Sequence, residues 1–244
     1  MFGQELLAYI KYGNIHEIIE RDDGCIDLTS PKSYFSEFTK WPKIEKIAIN
    51  LIQGPVLDIG CGPGRVGKYL KTKKIDVTNI DVSPIAIKFC KNSGLKKSRV
   101  LSISDIEKLN YKNFNSIVLF GRNFGLLQTP KKAKLILSKI AKITNKDAII
   151  LGESRDPNTI TNPAFIKYMK KNIKKNKMPG QLRLRLRYQT YKGNWFKFLY
   201  ASKNDVLSLI DGTEWYVDRF IGHDETFIAV IKKRITAKYL VAVN

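Results

Sequence analysis

Residues 56–64 read Val-Leu-Asp-Ile-Gly-Cys-Gly-Pro-Gly. A short apolar run passes directly into glycines at alternate positions, as a buried parallel strand does when it ends in a turn that lets a ligand approach the backbone. Arg65 to Lys71 follows as a predicted helix. In an open α/β sheet such a loop lies at the carboxyl edge of the strands, where ligands bind. The spacing Gly62-x-Gly64-x-x-Gly67 also satisfies the dinucleotide pattern, so the loop alone admits a nucleotide-dependent oxidoreductase.

Outward from this loop, short apolar runs alternate with longer amphipathic ones, the signature of β/α units. Further strands are predicted at Ile75 to Ile80, Val100 to Ile103, Ser116 to Phe120 and Ala148 to Gly152. Helices are predicted at Pro84 to Asn92, opened by Ser83 as N-cap with proline in the first turn, and at Lys131 to Ile143. Before this core, residues 1–50 form a predicted helical cap, with helical character at Glu5 to Ile10 and Lys43 to Ile52 and an aromatic stretch of Tyr34, Phe35, Phe38 and Trp41. After the fifth strand, residues 154–200 form a predicted insertion. It consists of a basic amphipathic helix over 163–177, a strictly alternating Leu-Arg-Leu-Arg-Leu-Arg strand over 182–187, and a second strand from Trp195 to Tyr200 across a turn at Gly193 and Asn194. The chain then resumes with a helix at Lys203 to Ile210 and strands at Trp215 to Phe220 and Thr226 to Ile231, joined by a tight turn at Gly222 to Asp224.

A length of 244 residues with 43% hydrophobic content supports a continuous core. No apolar run reaches the roughly 20 residues of a membrane span, and the first residues carry no basic leader, so a cytoplasmic chain with no membrane association is predicted. The three cysteines, Cys25, Cys61 and Cys90, show neither metal-binding nor redox spacing, and neither a disulfide framework nor a metal site is expected. The formal charge of +21 is uneven: residues 131–200 hold 18 basic against 3 acidic residues, while residues 1–50 are net acidic at −2. That basic stretch is either an electrostatic footprint for an anionic partner or a solvated lysine-rich face.

Three carboxylates favour a sulfonium ligand over a dinucleotide. Asp58, two residues before Gly60, would repel a pyrophosphate and attract an ammonium group. Asp81 ends the second strand, placed to accept hydrogen bonds from both hydroxyls of a ribose. Asp105 follows the third strand, where a carboxylate can accept from an adenine amino group. In these features the chain resembles the class I S-adenosylmethionine-dependent methyltransferases over most of residues 50–233. The resemblance implies that Asp58, Gly60, Cys61, Gly62 and Gly64 form the first cofactor motif, with Cys61 a small filler. Asp81 then takes the ribose with Val82 beside the adenine, Asp105 and Ile106 meet the adenine edge, and Phe120 and Gly121 line the methionine end. It further implies a Rossmann-like, mostly parallel seven-stranded sheet with an antiparallel last strand and helices on both faces, in a methyltransferase domain spanning 51–244.

The acceptor is less legible, because methyl transfer needs little beyond an in-line approach, and positioning alone can supply roughly 7 to 11 kcal/mol. The residues Phe-Gly-Arg-Asn-Phe-Gly at 120–125 lack the Asn/Asp-Pro-Pro-Tyr/Phe signature of families that methylate base or amide nitrogens, and lack the Pro-Cys pair of cytosine-C5 enzymes. Candidates on the acceptor side are Tyr34, Arg122, Asn123 and Glu153. Each has a structural alternative: core packing, a surface ion pair, a turn, and a partner for Arg155, respectively. His16 and His223 suit general-base chemistry by pKa range but read more readily as solvated side chains. A small-molecule acceptor beneath a lid formed by 1–50 and 154–200 is the favoured reading. An RNA acceptor held by Lys167, Lys170, Lys171, Lys174, Lys175, Lys177, Arg183, Arg185 and Arg187 is the alternative. A protein acceptor is less favoured, and nothing in the intact donor motifs recommends a non-catalytic cofactor-binding subunit.

Overall fold

The computed structural model describes residues 1–109, 113–223 and 225–234. Its core is a seven-stranded sheet of β3 (Val56–Ile59), β4 (Val77–Asp81), β5 (Ser98–Val100), β6 (Phe114–Leu119), β7 (Thr144–Arg155), β11 (Trp215–Ile221) and β12 (Thr226–Lys233). Their order across the sheet is β11-β12-β7-β6-β3-β4-β5. The β3, β4, β5, β6 and β7 pairings are parallel, whereas β12 runs antiparallel to both β7 and β11, so one strand is reversed and it is the last in the chain order.

Strands β3 and β4 are buried at every position, so their apolar residues join the core and Asp58, Thr78, Asn79 and Asp81 are buried with them. The crossovers are α3 (Arg65–Thr72), α4 (Pro84–Asn92), α5 (Pro130–Ile143) and α7 (Lys203–Ile210), each starting where the sequence offers a cap or a glycine turn. Ser83 accepts from the Ala86 N–H at 3.2 Å, and Thr129 accepts from the Lys132 N–H at 3.3 Å; each has proline next. The larger core lies under α5 and α7, where Trp215 is fully buried with its indole N–H bonded to the Leu137 carbonyl at 3.0 Å. A second core lies on the other sheet face, built from Trp41, Ile52, Val66, Leu70, Val118 and Ile228 among others.

Several expectations are corrected. The third core strand is Ser98–Val100, not Val100 to Ile103. Ser102 accepts from the Ser104 N–H, and this cap starts a 3-10 turn over Ile103–Lys108 that takes the apolar residues out of the strand. Residues 1–50 are not wholly helical. Helices α1 (Phe2–Tyr12) and α2 (Lys43–Ala48) flank two strands, β1 (Glu17–Arg21) and β2 (Ile26–Thr29), and α2 ends before the 3-10 turn Ile49–Leu51. Nor is the insertion a free hairpin. Its strands β8 (Gln181–Tyr188), β9 (Tyr191–Lys192) and β10 (Phe196–Leu199) join the N-terminal pair in one antiparallel sheet of order β10-β8-β1-β2, with β9 beside β8. Helix α6 (Pro163–Lys174) covers one face of that sheet through Phe165 and Tyr168, which pack on Leu182 and Leu184. The turn expected at Gly222 to Asp224 includes Asp224, which lies outside the described residues.

Candidate functional site

The glycine loop is held from three directions. The Gly60 and Cys61 N–H groups both donate to the Ile80 carbonyl of β4 at 2.9 and 3.1 Å. Gly60, Gly62 and Gly64 adopt positive φ of 70°, 54° and 87°, values open to glycine at little cost. Gly64 is also tightly enclosed, since a Cβ there would lie 2.8 Å from Leu95 and 2.9 Å from the Cys90 sulfur, whereas at Gly62 the nearest atom, on Phe2, would be 3.7 Å away. Cys61 is buried with its Sγ 3.8 Å from that of Cys90, and Cys90 donates to the Gly62 carbonyl at 3.3 Å. The pair fills the underside of the loop.

Asp81 at the end of β4 accepts from Gly62 N–H at 3.0 Å and from Ser83 N–H at 2.8 Å. A carboxylate offers about four lone-pair directions, so Asp81 retains capacity for a hydroxyl donor. The neighbouring Val82 is 69% exposed, an apolar side chain standing clear at the carboxyl edge. Asp105 is half-exposed and paired with Lys108 at 3.1 Å. The Ile106 side chain is fully buried in the core, which leaves its backbone as the part that can meet a ligand.

Asp58 lies under the loop with Oδ2 buried and without a hydrogen-bond partner. Burial pushes its carboxyl up to about 7, with Asp81 and Glu45 adding to the rise and Arg65 opposing it. Beside it lie Glu45 on α2, Arg65 on α3 and Glu153 on β7. Arg65 donates to Glu45 through Nη1 at 2.6 Å and Nη2 at 2.5 Å, and its guanidinium lies over Trp41 with the centroid 4.7 Å away. Glu153 accepts from Gly121 N–H at 2.7 Å, and burial together with the adjacent Glu45 carboxylate raises it to about 8. Three buried carboxyl groups thus face a single guanidinium. Burial holds Asp58 and Glu153 towards their protonated forms, and a cationic ligand would favour their ionisation.

The acceptor-side candidates fall in different places. Asn123 donates its amide to the Ile59 and Gly60 carbonyls at 3.2 and 2.9 Å, so it clamps the glycine loop and does not open outward. Glu153 does not hold Arg155, which pairs with Glu225. Arg122 has a left-handed backbone, φ 66°, and its guanidinium bonds to Tyr200 at the end of the insertion. The Tyr34 hydroxyl donates to Glu17 at 2.9 Å, and its ring meets Phe2 edge-on at 5.2 Å. Its aromatic neighbours are packing groups: Phe35 stacks on Tyr9, and Phe38 stacks on Tyr69 of α3 with the centroids 4.2 Å apart. The arginine face of β8 is not free. Arg185 and Arg187 pair with Glu20 of β1 at 2.6 and 3.2 Å, and Arg183 and Arg185 lie over the Trp195 ring. Sequence reasoning missed Glu5, Glu17, Glu45 and Arg65. Each is a charged residue in an otherwise ordinary amphipathic segment, and only the packing reveals that it is buried.

Residues 56–147 match the family of methyltransferase domains. Among solved structures, a SAM-dependent methyltransferase from Bacteroides fragilis, in complex with S-adenosyl-L-homocysteine, is similar over 96% of this chain and 94% of its own, with TM-score 0.80 and 18% identity. A SAM-dependent methyltransferase from Methanosarcina mazei is similar over 78% and 98%, with TM-score 0.60 and 18% identity. A methyltransferase from Streptomyces caelestis is similar over 83% and 98%, with TM-score 0.58 and 8% identity. No protein of curated function matches the sequence. The family match falls on the β3 loop and the strands that follow, and the sheet order with its reversed last strand is that of the class I methyltransferase fold. Among the described residues no helix is long and apolar enough to cross a membrane.

Proposed function

We propose that the chain transfers a methyl group to a small molecule enclosed between a 51–244 methyltransferase domain and a lid made by residues 1–50 and 154–200. S-adenosylmethionine supplies, when bound, an electrophilic methyl on a sulfonium that departs as a neutral thioether. The unpartnered Asp58 oxygen fits its ammonium group, and Asp81 retains capacity for a ribose hydroxyl. Val82 offers an apolar face to the adenine, with Asp105 and the Ile106 backbone at its edge. Gly60, Cys61, Gly62 and Gly64 form the cradle, and Phe120 and Gly121 border the methionine end. Arg122 and Tyr34 lie on the acceptor side, and Asn123 and Glu153 fix the loops between which the methyl group would lie.

The observation that carries the small-molecule reading is the engagement of the β8 arginines by Glu20 and Trp195, which turns the most ordered cationic stripe of the sequence into lid structure. The lid is anchored over the donor edge. Phe198 of β10 packs so closely on Gly125, in the 3-10 turn after β6, that no Cβ fits there. The RNA reading retains one support, the exposed lysines of α6 and its C-terminus, Lys167, Lys170, Lys171, Lys174, Lys175 and Lys177. Incubation with methyl-labelled cofactor and cell extract resolved into metabolites, RNA and protein tests the proposal. Label in the metabolite fraction is expected. Label in RNA, with binding to bulk tRNA that falls steeply with salt and is lost on reversing Lys171, Lys174 and Lys175, would replace the small-molecule reading by the RNA one.

A further inference from the structure

Two carboxylates of the N-terminal segment meet under the lid and neither is explained by the fold. Glu5 on α1 is fully buried, and neither of its oxygens meets a hydrogen-bond donor among the described residues. It faces Glu17 of β1, itself 1% exposed, which accepts from the Tyr34 hydroxyl at 2.9 Å and from the Thr29 hydroxyl at 2.8 Å. Burial first, and then the Glu17 carboxylate, push the Glu5 carboxyl up to about 9, the chain's own N-terminal amine opposing. Two adjacent buried carboxyl groups with one tyrosine hydroxyl and one threonine hydroxyl make a costly interior arrangement unless a cation or a proton joins them.

Their position is as telling as their chemistry. Phe2, one helical turn before Glu5 and so on the same face of α1, is the side chain that lies over Gly62 of the donor loop. The Phe2 ring also meets Tyr34 edge-on at 5.2 Å, and the Arg122 guanidinium after β6 is close enough to act on the Tyr34 hydroxyl. The carboxyl pair therefore borders both segments that flank the methyl end of the donor site. An anionic acceptor would be repelled there, whereas an ammonium ion can take the place of the proton that the pair otherwise shares.

We propose that Glu5 and Glu17, with the Tyr34 hydroxyl, form the acceptor subsite, and that they select a basic nitrogen, so that the chain methylates an amine which arrives as an ammonium ion. This rests on the donor site assigned above. The ammonium ion enters as Glu5 releases its proton to solvent. In the transfer step one N–H proton moves to the Glu5 carboxylate and the freed nitrogen lone pair forms the new C–N bond. The methyl carbon's bond to sulfur breaks with its electron pair remaining on sulfur. The products are an N-methylammonium ion and a neutral thioether, and Glu5 returns its proton to solvent on the next binding event.

The test uses the full chain with methyl-labelled S-adenosylmethionine and a protein- and RNA-free metabolite extract, separated afterwards on a cation exchanger. Label is expected in a retained product that is stable to base and distinct from the unreacted cofactor, itself a retained cation. Label only in unretained products, base release of methanol, or no retained label beyond that of the cofactor overturns the proposal. Calorimetry with S-adenosylhomocysteine on the same preparation separates the two levels of failure. Absence of binding overturns the donor site itself, whereas binding without retained label overturns only the amine acceptor. Glu5→Gln and Glu17→Gln should each lower transfer about 100-fold or more while leaving S-adenosylhomocysteine affinity and melting temperature near the wild type. A fall in melting temperature with unchanged transfer by the folded fraction, seen in both variants, would assign the pair a structural role and overturn the proposal.

Discussion

The Glu20 carboxylate of β1 receives the Arg185 guanidinium of β8 through two hydrogen bonds, from Nε at 2.9 Å and from Nη2 at 2.6 Å. This fork joins stretches of chain 165 residues apart and holds Glu20 below the usual carboxylate range. Bidentate geometry makes it more specific than an ordinary surface ion pair. Arg185→Ala should therefore loosen the lid locally. Hydrogen exchange should accelerate across Glu17–Arg21 and Gln181–Tyr188, while S-adenosylhomocysteine affinity stays within a factor of about three of wild type, a change under 1 kcal/mol. Unchanged protection in both strands would show that the backbone ladder alone holds the lid.

Asp81→Ala removes a carboxylate that holds the loop at Gly62 and that the proposed donor site offers to the ribose. Loss of charge-assisted hydrogen bonds of roughly 1.5 to 3 kcal/mol predicts a cofactor affinity lower by about ten- to a hundred-fold. Calorimetry decides this, and an unaltered affinity would remove Asp81 from ribose recognition.

The loop glycines should differ in kind. Gly64→Ala sets a Cβ against Leu95 and Cys90 at positive φ, so a loss of about 2 to 4 kcal/mol in folding stability is expected. Gly62→Ala meets only ordinary van der Waals contact with the Phe2 ring and bears the left-handed backbone cost of about 1 to 2 kcal/mol. It should leave the fold largely intact and damage cofactor binding instead. Denaturant titration and calorimetry on both variants check the contrast, which fails if Gly62→Ala is the less stable of the two.

The raised carboxyl groups at the donor edge give a pH dependence of fixed sign. The folded state favours protonated Asp58 and Glu153, so the stability they contribute is fully present near pH 4 and is lost as pH rises through about 7 and 8. Glu153→Gln keeps an acceptor for Gly121 and cannot ionise. Its melting temperature relative to wild type should climb between pH 5 and pH 9; a difference that shrinks over that range contradicts the assignment. A cationic donor favours ionised Asp58, so binding at pH 7 should release about half a proton from this group, measurable in buffers of different ionisation enthalpy.

The donor half of the molecule was legible because it is local. Strand, glycine loop and capped helix lie within Val56 to Asn92, where hydrophobic period, positive-φ glycines and the Ser83–Pro84 start are each visible in a few adjacent residues. The β5 boundary shifted because Val-Leu-Ser-Ile at 100–103 is apolar enough for a strand, while the Ser102 side chain starts a turn. The lid was hidden for a different reason. Glu-Ile-Ile-Glu-Arg at 17–21 has weak strand character by itself, and it becomes a strand by pairing with β8, which no local pattern announces. The arginine stripe was seen correctly as one face of a strand; its partner Glu20 was not. Glu5 and Glu17 gave no signal, since a carboxylate in an amphipathic helix or short strand is ordinarily solvated.

The shared lid sheet also orders events during synthesis. Strand β1 is among the first segments made, and until residues 181–188 have been translated it carries β2 alone, with its other edge bare. The donor domain's parallel core can assemble in that interval. The second sheet is completed only when this later-made stretch returns to the earliest, so the glycine-loop edge can form before the cover that we propose encloses an acceptor.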